Sequence, residues 1–89
     1  MRAVITVIGK DMVGILARVS TECAQDGVNV LEVTQSVLQD LFAMIMMVDI
    51  TDATIPLDIL SDRLQEIGKE MGLTIHVMHE DIFNSMHRI

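Results

Sequence analysis

Only one cysteine, Cys23, occurs in the 89 residues, and a single thiol cannot close an internal disulfide. Cations are also few. Six Lys and Arg against thirteen Asp and Glu leave a net charge of −7, and the six are scattered at Arg2, Lys10, Arg18, Arg63, Lys69 and Arg88. No basic patch is therefore present to release counterions from a phosphate backbone or an anionic bilayer, which argues against direct nucleic-acid binding and against a membrane surface. The longest wholly apolar run, 41–48, falls far short of the roughly 18 residues that a membrane span needs. The N-terminus lacks the basic-then-apolar layout of a secretory signal. One proline, Pro56, and no low-complexity tract leave no linker. These absences predict a single soluble, cytoplasmic domain spanning 1–89, with a C-terminal tail at about 80–89.

What the chain does have is apolar. Hydrophobic residues make up 51% of it and charged residues 21%, which excludes disorder and supports one modest core. Residues 2–8 are rich in β-branched side chains and end at Gly9-Lys10-Asp11, the pattern of a strand running into a turn. The period then changes. Met12, Ile15, Leu16, Val19 and Cys23 recur at three- and four-residue steps with Arg18, Glu22, Gln25 and Asp26 opposite, predicting an amphipathic helix over about 13–26 that stops at Gly27. Two β-rich stretches, 28–38 and 41–51, flank Gln39-Asp40 and form a hairpin.

The second half repeats this order. Pro56 suits a first helical position, and Leu57, Leu60, Leu64, Ile67 and Met71 form the stripe of a second helix closed by Gly72. A strand at 73–78 and a short helical tail with Ile82, Phe83, Met86 and Ile89 on one side complete the chain. The order β-α-β-β-α-β predicts an α+β, ferredoxin-like fold, with two helices on one face of a four-stranded antiparallel sheet.

One face of such a sheet should be polar, yet the third strand is apolar on both. Phe42, Met44, Met46, Val48 and Ile50 lie on one side and Leu41, Ala43, Ile45 and Met47 on the other. A cover is needed for that second face: the tail, a second copy of the chain, or both together.

At the strand-to-helix junction, Lys10-Asp11-Met12-Val13-Gly14-Ile15-Leu16 places free backbone N–H groups and the positive end of a helix dipole where a carboxylate would be favoured. Asp11 could cap the helix or face an ammonium group. Asn29 adds a polar group at a strand entry, with local turn hydrogen bonding as its plainer role. This junction, together with Asp26-Gly27-Val28-Asn29-Val30, resembles the ACT domain over nearly the whole chain. The tail from His79 to Ile89 is similar to that of the short ACT proteins related to the glycine cleavage repressor. The resemblance implies a ferredoxin-like fold, paired domains, and an amino acid held at the pairing interface. On this chain the corresponding ligand residues are Asp11, Met12, Val13, Gly14 and Asn29.

His76, His79 and His87 match no closed zinc spacing, and His76 and His79 should point to opposite faces of a strand, so they read as surface or tail-packing residues and no metal or cofactor is expected. Cys23, on the buried stripe, reads as a small hydrophobe. No catalytic constellation is present, which leaves a regulatory homodimer binding an amino acid as the leading function, an adaptor that docks a protein partner without a small-molecule ligand as the second, and a metal-binding protein using the histidines as the third.

Overall fold

A computed structural model of the chain describes residues 1–10 and 14–86. The elements are β1 (Arg2–Gly9), α1 (Ile15–Gln25), β2 (Asn29–Leu38), β3 (Leu41–Asp49), α2 (Leu57–Met71), β4 (Thr74–His79) and α3 (Glu80–Met86). They build one antiparallel sheet in the order β2-β3-β1-β4, so the expected βαββαβ fold with a helical tail is what the chain adopts.

Alternation along the strands fixes the two layers. Ala3, Ile5 and Val7 of β1, Phe42, Met44, Met46 and Val48 of β3, and Ile75 of β4 face the helices. They enclose Ile15, Val19 and Cys23 of α1 and Leu60, Leu64 and Ile67 of α2. Each of the large aliphatic side chains buried here is worth about 1.5–3 kcal/mol of transfer free energy. Gly27 turns the chain from α1 into β2 at φ +71°, and a Cβ there would lie 2.7 Å from the Asp52 carbonyl oxygen, so only glycine fits without a shift.

Several expectations need correction. Leu16 belongs to the apolar stripe by spacing but is 39% exposed, because it lies on the flank of α1 that looks toward β2. Asp26, assigned by periodicity to the solvated side, is 3% exposed. It is the C-cap of α1 and accepts a hydrogen bond at Oδ1 from Arg63 Nη1 of α2 at 2.7 Å. Pro56 is the N-cap of α2 rather than its first helical residue. β3 ends at Asp49 instead of Thr51, since the Thr51 amide and hydroxyl both donate to the Asp49 carboxylate. The hydroxyl bond, then the amide bond, hold that carboxyl below its usual range.

The tail covers the open face of the sheet only in part. Val4, on that face, is fully buried, and α3 contacts β1 and β4 beside it, anchored by the Arg2 guanidinium on both Glu80 carboxylate oxygens at 2.7 and 2.6 Å. Ile82 and Met86 stay exposed, and Ile89 lies outside the described residues. On the same face Ile8, Leu38, Leu41 and Ile45 also remain open, Leu38 being 73% exposed.

Candidate functional site

Of the five residues singled out for ligand binding, Asp11, Met12 and Val13 lie outside the described residues. Gly14 is the N-cap of α1 at φ +75°, with open space where a Cβ would stand and no side-chain hydrogen bond to the cap. The first helical bond in this turn runs from the Arg18 amide to the Gly14 carbonyl, and the first turn carries no acidic residue. The leading N–H groups of α1 and its positive dipole end are therefore uncompensated by the helix's own side chains. At α2, by contrast, Asp58 in the first turn accepts from the Ile59 amide.

Asn29 is at the other end of the sheet. It opens β2 opposite Asp49, which in turn pairs with Arg2, whereas Val37 pairs with Phe42, which pairs with Gly9. Seven residue steps along β1 separate those two rows, about 23 Å at the rise of a strand. Within one chain, Asn29 and Gly14 are not brought together.

The structure places other residues beside Gly14. An open groove of about 450 Å³ is lined by Gly14, Leu16, Ala17, Gln35 and Phe42, between the first turn of α1 and the helix-facing side of β2. Gln35 and Phe42 were not singled out by the sequence. Only the hairpin register, which pairs Gln35 with Met44 and so turns it toward the helices, puts Gln35 there. The one sequence signal available was an amide interrupting a β-rich stretch. A larger groove of about 540 Å³ runs between α1 and α2, lined by charges including Arg18, Glu22, Arg63, Glu66 and Glu70. Its cations already face carboxylates, Arg18 with Glu70 at 3.6 Å and Arg63 with Glu22 at 3.8 Å, so the smaller groove is the better candidate for a ligand.

His76 and His79 do fall on opposite faces, since their partners on β1 are Thr6 and Ala3. The His79 ring accepts the Asp81 amide at Nδ1 and so caps α3, while His87 lies outside the described residues. Among the described residues, no group of three His, Cys, Asp or Glu is placed to hold a metal. Cys23 is fully buried, and burial, helped by Asp26 and Glu22, pushes its thiol up to about 11, which keeps it an unreactive hydrophobe at neutral pH. No helix among the described residues is long and apolar enough to cross a membrane.

Comparison with known proteins is consistent with this geometry. The sequence model of the ACT domain matches residues 2–78. A UPF0237 protein of Methanopyrus kandleri is 44% identical over 88 residues, covering 99% of this chain and 98% of that protein. Among solved structures, an ACT domain protein from Streptococcus pneumoniae superposes with a TM-score of 0.81 at 34% identity, covering 93% of both chains. A putative glycine cleavage system transcriptional repressor superposes at 0.69 with 23% identity, over 85% of this chain and 43% of that one, a likeness of fold.

Proposed function

The chain belongs to the ACT domain family of regulatory ligand-binding modules, and on that premise we propose that it works in the cytoplasm as a homodimer holding a small amino acid between its two copies. The observation that carries the reading is β2, a ten-residue edge strand exposed along nearly all its length, with Leu31, Val33, Val37 and Leu38 open to solvent. An unpaired edge of this kind is a template for another strand. Antiparallel pairing of two copies of β2 about a two-fold axis brings the Asn29 end of one toward the Gly14 end of the other, and a second copy there would also wall the groove beside Gly14. The ligand carboxylate then meets the N–H groups at the start of α1, and its ammonium meets Asp11 or Asn29. The role is regulatory rather than catalytic: a ligand that prefers one arrangement of the two copies shifts the population toward it.

A thermal-shift screen of the untagged protein against the twenty amino acids, with solution mass measured on the same sample, tests this. One or a few amino acids should raise the Tm, by about 2.7 kcal/mol of stability at a hundredfold excess over Kd. A dimer that responds to none of them would overturn the ligand. The adaptor reading would then take its place, supported by the open apolar residues Ile8, Leu41 and Ile45.

A further inference from the structure

We propose that Glu22, lining the α1–α2 groove, takes up a proton and donates it as a hydrogen bond to the buried Asp26 that Arg63 clamps, so that the contact between the two helices responds to pH. Asp26 is buried, and its two oxygens are treated unequally: Oδ1 accepts from Arg63 Nη1 at 2.7 Å, whereas Oδ2 is fully enclosed with no donor. An enclosed carboxylate oxygen without a donor is costly, and Glu22, one helical turn earlier on the same face of α1, supplies one once it is protonated. Glu22 is within hydrogen-bonding reach of Asp26, and its side chain is only 14% exposed. A carboxylate there can only accept. Protonated from solvent, Glu22 has one O–H, which it donates to Asp26 Oδ2. On deprotonation the proton returns to solvent, and two carboxylates are left beside one guanidinium.

The charges around the pair are known from each packed element. On α1, Arg18 opposes the protonation, and the Cys23 thiol stays neutral. On α2, Arg63 also opposes it, while Asp62, Glu66 and Glu70 line the same groove. From the 52–54 turn, the Thr54 amide and hydroxyl reach only the Asp26 backbone carbonyl. The hydrogen bond to Asp26, then burial, then the Asp26 charge raise the Glu22 carboxyl above its ordinary value of 4.5. A raised acid adds stability that is complete below that ordinary value and is lost as pH rises through the folded one. The loss therefore begins near pH 4.5 and runs upward.

Carbon-detected NMR titration of the Glu22 carboxyl in the native chain reads the proton directly. A midpoint above the ordinary glutamate value is expected; a midpoint at or below it overturns the proposal. The pH dependence of the unfolding midpoint supplies a second reading. Glu22→Gln keeps a donor for Oδ2 without a titrating proton, so its profile should be flatter than the native one above pH 4.5, and a parallel profile would contradict the proton on Glu22. Glu22→Ala removes the donor and should be less stable than Glu22→Gln across that range. Equal stability of the two variants would contradict the hydrogen bond from Glu22 to Asp26.

Discussion

The two edges of the sheet differ in almost every respect that governs strand pairing. β4 has six residues, carries Thr74 and His76 on the open face, and packs against both α2 and α3. β2 has ten residues, a bulge between Val30 and Glu32, and one charge, Glu32, among exposed aliphatic side chains. α1 makes far less contact with β2 than α2 makes with β4. One edge is short and covered by its own chain, while the other is long and left open. The chain's own packing therefore ends at β2: β4 is held by the fold, and β2 is available to a second strand.

The largest effect should come from the held edge. Ile75→Ala, at a position 3% exposed between β1 and α2, should lower the unfolding free energy by about 2–5 kcal/mol in urea titration. A loss below about 1 kcal/mol would mean that β4 is no better anchored than β2. At the entry to β2, Gly27→Ala should cost about 2 kcal/mol or more, because both the positive φ and the Asp52 carbonyl oppose a Cβ. Gly14→Ala meets the same φ penalty in open space and should cost about 1–2 kcal/mol, so the gap between the two variants isolates the steric part. Arg2→Ala, which releases α3 from its half-exposed guanidinium anchor, should cost about 0.5–1 kcal/mol and speed amide exchange in α3. The smallest change in folding stability, within about 0.5 kcal/mol, belongs to Val33→Lys with Val37→Lys on the open edge. That pair should nevertheless convert the proposed β2-paired dimer to monomer in sedimentation.

Much of the architecture was legible in the sequence. Local signals suffice where a period or a glycine decides the matter, as in the stripe of Leu60, Leu64 and Ile67 or the left-handed ends at Gly27 and Gly72. The rest depended on partners far along the chain. Asp26 is buried because Arg63, 37 residues away, reaches it, and no helical period carries that information. Leu16 and Gln35 meet across a groove that exists only once the hairpin register is set. The separation of Asn29 from Gly14 is likewise a property of register: the motif that joins them in sequence runs through a helix that returns the chain to the far end of the sheet.

Amide hydrogen exchange along β2 distinguishes an edge paired with a second copy from an open one. β2 is an edge strand bonded to β3 on one side only, so alternate β2 amides point away from β3, and among the described residues no strand pairs with that side. These amides should be slow to exchange in the native protein and should speed up on dilution or in the Val33→Lys, Val37→Lys variant. Fast exchange of the outward amides at every concentration, with the β3-facing ones protected, would contradict it.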